Sequence, residues 1–267
     1  MSVFDLTGRN ALVTGGAQGL GQGMAQALAD AGANVMIGDI QEDAGKETAE
    51  IVGKSGVTTG FVKLDVTNEA DWAAAVSTTV AELGGFDILI NNAGLEISRL
   101  VIDIDADEVR KMLEVNVIGT FLGVKHAFRA MRPEGPAGKG GAVVNISSVA
   151  ATIAFPGIAG YSATKSAVDR LTRISAAESG KLGYGVRVNC VYPGLVPTAM
   201  GAQLAGDMAE LGLFPSAEEA VGTVVALTPL GRLGEVPDMA DAVVFLASDA
   251  ARFVTGTGLA VDGGMGS

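Results

Sequence analysis

Short runs of β-branched and other apolar residues alternate with longer stretches of helical period, and this alternation limits the fold more than any other feature of the chain. Ala11-Leu12-Val13-Thr14 leads into a helical stretch from about Leu20 to Ala31, which gives way to Asn34-Val35-Met36-Ile37. Strand, helix, strand is the pattern of a parallel sheet, because parallel neighbours need a crossover that carries the chain back to the same end. The pattern recurs: Gln41 to Val52 reads as helix, Gly60 to Leu64 as strand, Glu69 to Leu83 as helix and Phe86 to Ile90 as strand. Later apolar runs lie at Ala142–Ile146, Val186–Val191 and Leu259–Val261, which brings the strand count to seven. Strands this uniformly apolar need both faces covered, and right-handed helical crossovers on either side of an open sheet cover them. The expected architecture is α/β and doubly wound, a seven-stranded parallel sheet with helices on both faces.

At 267 residues the chain can close around one large core, since single cores stop growing at roughly 250 to 300 residues. One domain spanning residues 1–267 is expected; the turn-rich stretch between Arg132 and Gly141 is too short for a domain linker. A net charge of −12 repels nucleic acid phosphates and anionic lipid, so neither is expected as a partner. The apolar stretches fall short of the roughly 20 residues that cross a bilayer, and Met1 to Leu6 has neither a basic nor an apolar leader pattern. The single Cys190 forms no internal disulfide, which fits a cytoplasmic chain.

Thr14-Gly15-Gly16-Ala17-Gln18-Gly19-Leu20-Gly21 follows the first strand and opens the first helix. Glycines there let the backbone approach a pyrophosphate, whose charge the helix N-terminus meets. A tight strand-to-helix turn also favours glycine, but this placement marks a Rossmann-type dinucleotide site. Asp39 ends the second strand, where a carboxylate accepts hydrogen bonds from adenosine ribose hydroxyls and repels a 2′-phosphate. Neither Gln18 nor Ile40 supplies a cation for that phosphate, so NAD is expected over NADP; the bland alternative is that Asp39 starts a surface turn. Tyr161 and Lys165 share one face of a helix running from Tyr161 to Ala177. A free phenol titrates near 10, and a close ammonium would bring it toward a useful working range. By itself such a pair also occurs on solvated helix faces.

Taken together, these motifs resemble those of the single-domain short-chain dehydrogenase/reductases over essentially the whole chain. The glycine turn at Thr14–Gly21 is followed by Asn91-Asn92-Ala93-Gly94, Val115-Asn116-Val117, Asn145-Ile146-Ser147-Ser148, Tyr161-Ser162-Ala163-Thr164-Lys165, and Pro193-Gly194 with Thr198. The resemblance implies that Tyr161 exchanges the substrate proton and Ser148 hydrogen-bonds the substrate oxygen. It implies too that Lys165 tunes the tyrosine and binds ribose, and that Asn116 holds a water leading from Lys165 toward solvent. By the same resemblance Gly15, Gly19, Leu20 and Gly21 cradle the cofactor, Asp65 and Val66 flank adenine, and Asn92, Ala93 and Gly94 border the ribose. Pro193, Gly194, Val196 and Thr198 hold the nicotinamide carboxamide. Asn92 has a structural alternative as a tie between strands, and Ser147 is the residue most easily confused with Ser148.

His126, the sole histidine, and Cys190 read as packing residues, and no metal ligand spacing is present. The resemblance makes a substrate lid of residues 195–228. Leu95, Ile153, Phe155, Met200 and Leu204 are expected to line an apolar pocket beside Ser148, suited to an aryl, alicyclic or steroidal secondary alcohol; Glu96 adds an acid with no assigned role. The C-terminal tail resembles one that often lies at a tetramer interface, so a homo-oligomer is expected. Two rival readings stay open: an NADPH-dependent ketoreductase of acyl thioesters, and a dinucleotide sensor without turnover.

Overall fold

The computed structural model describes residues 2–267. The first half of the chain builds β1 (Asn10–Thr14), α1 (Gly19–Asp30), β2 (Asn34–Asp39), α2 (Glu42–Gly53), β3 (Thr59–Lys63), α3 (Glu69–Leu83) and β4 (Ile88–Asn91). The second half begins with α4 (Ala106–Leu113), which runs through a π turn at Glu114–Ile118 into α5 (Gly119–Met131). Then come β5 (Gly141–Ile146), α6 (Ala159–Leu182), β6 (Val186–Pro193), α7 (Ala199–Glu210), α8 (Ala217–Leu227), α9 (Val236–Ala247) and β7 (Gly258–Val261).

The strands form one sheet in the order β3-β2-β1-β4-β5-β6-β7, and every pairing is parallel. From β1 the chain winds outward through β2 and β3, then crosses back to lay β4 on the other side of β1. The loops leaving β1 and β4 therefore diverge at the carboxyl edge, and the gap between them is where an open α/β sheet receives ligands.

Alternation along the strands explains why both faces are dry. Val13, Val35, Ile37, Ile88, Ile90, Val144 and Ile146 join one core with Met24 and Leu28 of α1 and Met239 and Val243 of α9. Their in-between neighbours Leu12, Met36, Leu89 and Val143 join a second core with Trp72 of α3 and Leu122 and Val124 of α5. Side chains along a strand point alternately to opposite faces, so a continuous apolar run feeds both layers. Each such side chain contributes about 1.5–3 kcal/mol on burial.

Strand boundaries differ from the sequence reading by a residue or two, with physical reasons where they matter. Phe86 and Asp87 precede β4 because the Asp87 carboxylate accepts the Asn10 N–H and side-chain amide, which anchors the approach to the sheet. The helix α6 extends past Ala177 to Leu182, where Gly183 closes it at φ 68° in the left-handed region glycine adopts freely. No helix among the described residues is long and apolar enough to cross a membrane.

Candidate active site

The glycine turn after β1 is packed too closely for side chains. A Cβ on Gly15, whose φ is +61°, would stand 2.8 Å from Ala93 Cα, and one on Gly21 would stand 2.1 Å from the Gly15 carbonyl oxygen. The turn is thus pressed against the loop after β4. Asn92 fastens the two by donating from its amide to the Thr14 and Gly15 carbonyls, each at 3.0 Å. Gln18 is the N-cap of α1 and makes no side-chain cap, which leaves the first-turn N–H groups facing the gap.

Asp39 is buried rather than part of a surface turn. Its Oδ2 accepts the Ala17 N–H at 3.0 Å and its Oδ1 accepts the Gln41 N–H at 2.9 Å, so the carboxylate ties the glycine turn to the end of β2. Together these residues border a cleft of about 470 Å³ along the carboxyl edge of the sheet. Every residue expected at the cofactor borders it, from Gly15 and Asp39 through Gly94 to Thr198. Lys165 is the one cationic side chain among the described lining residues, and it lies far along from Asp39 in the catalytic segment. Lys63, the register neighbour of Asp39 on β3, is engaged by Glu42 at 2.9 Å.

At the other end, α6 starts beside Ile158 and presents Tyr161 and, one turn on, Lys165. The Lys165 ammonium is buried; it donates to the Ile146 carbonyl at 2.8 Å and stands 5.5 Å from the centre of the Tyr161 ring. Burial pushes the phenol of Tyr161 up to about 12, with the Ser148 hydroxyl pulling the other way. Burial also brings Lys165 down to about 8. Loss of hydration is the largest influence on both groups, and the Lys165 ammonium keeps donors beyond the one given to the Ile146 carbonyl.

Geometry separates the two serines. Ser147 is buried and donates its hydroxyl to the Lys165 carbonyl at 2.8 Å, fastening β5 to α6. Ser148 caps the short 3-10 turn Val149–Ala151, accepting the Ala150 N–H, and its hydroxyl faces Tyr161 across the cleft. Asn116 does not border the cleft. From the π turn it clamps Leu95, accepting its N–H at 2.7 Å and donating to its carbonyl at 2.8 Å, and donates again to Thr164 Oγ1 at 2.9 Å. Its carboxamide thus fixes the loop after β4 against α6.

Of the expected substrate wall, Ile153, Phe155, Met200 and Leu204 border the cleft and Leu95 does not. At this point of the loop after β4, where Asn116 holds both Leu95 backbone groups, the next residue, Glu96, borders the cleft instead. The region 195–228 forms two helices, α7 and α8, with Leu204, Met208, Leu213, Phe214 and Ala220 packed on Phe155, Ile158 and Tyr161. The rings of Phe155 and Phe214 stack 6.1 Å apart. Sequence reasoning missed Ile158, Val224 and Met265 as lining residues. Ile158 precedes the tyrosine by three and was legible as wall, whereas Val224 and Met265 arrive only through the folding back of α8 and the tail.

The sequence profile of a family described as enoyl-(acyl carrier protein) reductase matches residues 15–266. The chain is 40% identical over 261 residues to trans-4-hydroxycyclohexanecarboxylate dehydrogenase of Sinomonas cyclohexanicum, covering 95% of this chain and 91% of that one. Among solved structures it resembles NAD+-bound xylitol dehydrogenase, with TM-score 0.92, 29% identity and coverage of 97% and 99%. It resembles also a gluconate 5-dehydrogenase of Burkholderia cenocepacia J2315 in complex with NADP and tartrate, with TM-score 0.87, 34% identity and coverage of 98% and 96%.

Proposed function

This chain belongs to the short-chain dehydrogenase/reductase family, and we propose that it is an NAD-dependent enzyme interconverting a hydrophobic secondary alcohol and its ketone, with Tyr161 as the general acid/base. That it is an alcohol dehydrogenase acting on a CH–OH group rests on its dehydrogenase relatives. The observation that carries the finer reading is one cleft holding Asp39 and the glycine turn at one end and Ser148, Tyr161 and Lys165 at the other.

A nicotinamide dinucleotide bound along the cleft supplies the hydride acceptor, or donor in reverse. The chain's own groups handle the oxygen. Ser148 donates a hydrogen bond to the substrate oxygen and stabilises charge there. Tyr161 takes the carbinol proton during oxidation and returns it during reduction. Lys165 holds the ribose end, and Asn116 positions the loop after β4 without touching substrate. Asp39, with no cation lining the cleft beside it and Lys63 engaged by Glu42, selects the unphosphorylated ribose. Ile153, Phe155, Ile158, Leu204 and Val224 supply an apolar wall, which favours an alicyclic, aryl or steroid-like alcohol over an open-chain polyol; a relative named for a cyclohexane substrate supports this. The protein is proposed to work as a cytoplasmic homotetramer, a state that light scattering would reveal.

Absorbance of the reduced nicotinamide, followed with NAD and with NADP against cyclohexanol, a hydroxysteroid, xylitol and a 3-hydroxyacyl thioester, tests the reading. Turnover of the ring alcohols with NAD at least a hundredfold more efficient than with NADP is expected. Turnover confined to the thioester with NADP would move the assignment to a biosynthetic ketoreductase.

A further inference from the structure

Among the described residues, three buried side-chain atoms lack a hydrogen-bond partner, and Glu96 Oε2 is the one that belongs to a residue lining the cleft. Glu96 is 5% exposed. Its other oxygen, Oε1, accepts the Ser98 hydroxyl at 2.8 Å. The neighbouring cation does not neutralise it: Arg99 pairs with Glu108 at 3.0 Å and donates to the Ser98 carbonyl at 2.8 Å. The backbone just before it is held by Asn116, which takes both backbone groups of Leu95.

The strip carrying Glu96 runs beside the substrate end of the cleft. The Arg99 N–H donates to the Gly157 carbonyl at 2.7 Å, in a parallel bridge between Arg99 and Ile158, and Ile158 lies three residues before Tyr161. The surrounding wall is apolar, with Phe155, Ile158 and Leu204. A buried acceptor left unpaired is costly, and a ligand that supplies a donor recovers that cost. The pocket thus has two polar poles in an apolar enclosure: Ser148 with Tyr161, and Glu96.

We propose that Glu96 Oε2 receives a second hydroxyl group of the substrate, so that the preferred substrate is a ring bearing two hydroxyls, or a hydroxyl and a ketone, rather than a plain cyclic alcohol. This rests on the alcohol-dehydrogenase reading above and names the substrate class within it. A hydroxyl is favoured over an ammonium because the lining beside Glu96 is aliphatic and aromatic and holds no second carboxylate to take a cation's remaining N–H groups; Asp207 acts on Glu96 through its charge and does not line the cleft there.

The test compares kcat/KM with NAD for cyclohexanol, the 1,2-, 1,3- and 1,4-cyclohexanediols, and trans-4-aminocyclohexanol. In the unaltered protein the best diol should exceed cyclohexanol on the order of tenfold or more, the scale of a hydrogen bond to a buried charged group. Glu96→Met, similar in length without a polar head, should bring that ratio to near one, and Glu96→Gln should retain most of it. No diol preference in the unaltered protein, a ratio unchanged within about twofold in Glu96→Met, or a preference for the amino alcohol would each overturn the proposal. The first of these needs no variant to fold. Cyclohexanol turnover without diol preference would sink the role of Glu96 alone, whereas silence toward every alcohol with NAD and NADP would sink the alcohol-dehydrogenase reading and this role with it.

Discussion

Tyr161 and Lys165 meet opposite pressures from the same burial. The phenol is pushed up to about 12 and the ammonium down to about 8. A raised phenol keeps its proton at neutral pH, ready for ketone reduction, and yields a growing phenolate fraction as pH rises. Alcohol oxidation should therefore become more efficient from about pH 7 to about pH 9 while reduction does not, and a fall in kcat/KM for oxidation over that range would contradict the assignment. The lysine carries a stability cost with a definite sign. The unfolded chain binds the Lys165 proton more tightly than the folded one, so the penalty is fully present below about 8 and fades as pH rises toward the ordinary lysine value. Lys165→Met removes it and loses the bond to the Ile146 carbonyl, for a net gain of about 1–2 kcal/mol at neutral pH together with loss of turnover. Thermal unfolding that shows the variant less stable would refute this. Ser148→Ala should lower kcat about 10²–10³-fold, whereas Ser147→Ala should cost about 1 kcal/mol of stability with a far smaller effect on rate.

At the scale of elements, the π turn between α4 and α5 places one amide, Asn116, where it joins the loop after β4 to α6. Asn116→Ala strips partners from two backbone groups of Leu95 and from Thr164, and should cost about 2–3 kcal/mol in urea unfolding. A loss of activity without loss of stability would point instead to direct contact with the reacting groups. The segment between α7 and α8 packs on Phe155 through Phe214; on the proposed function, Phe214→Ala should raise KM for ring alcohols more than it lowers kcat. Much of this was legible in the sequence because local signals agree: β-branched runs marked the strands, a glycine-rich turn marked the start of α1, and a Tyr and Lys four apart marked the face of α6 that borders the cleft. The π turn left no signal of its own, since Glu114 to Ile118 fits an ordinary helical period. That Glu96 and not Leu95 borders the cleft was illegible because the loop after β4 is held by a contact with Asn116, 21 residues away.

For the whole molecule, the decisive arrangement is the reversal of strand order at β1 and β4, which brings the glycine turn, Asp39 and the tail of the chain to a single edge. The doubly wound parallel sheet of seven strands was legible from the βα alternation and its handedness. The inward folding of the C-terminal tail was not: Met265 lines the cleft because the Asp262 carboxylate accepts the Gly264 and Gly266 N–H groups and curls the last residues back. With its surplus of negative charge the protein should show little salt dependence toward neutral alcohols, since long-range steering acts on charged ligands. The central claim is that this cleft performs NAD-dependent oxidation of a secondary alcohol through Tyr161. It is tested most directly by comparing the unaltered protein with Tyr161→Phe, measuring cyclic-alcohol oxidation with NAD alongside NADH binding by fluorescence. The prediction is a loss of turnover of at least about a thousandfold with NADH affinity retained within a few-fold. Turnover that survives the substitution would contradict it.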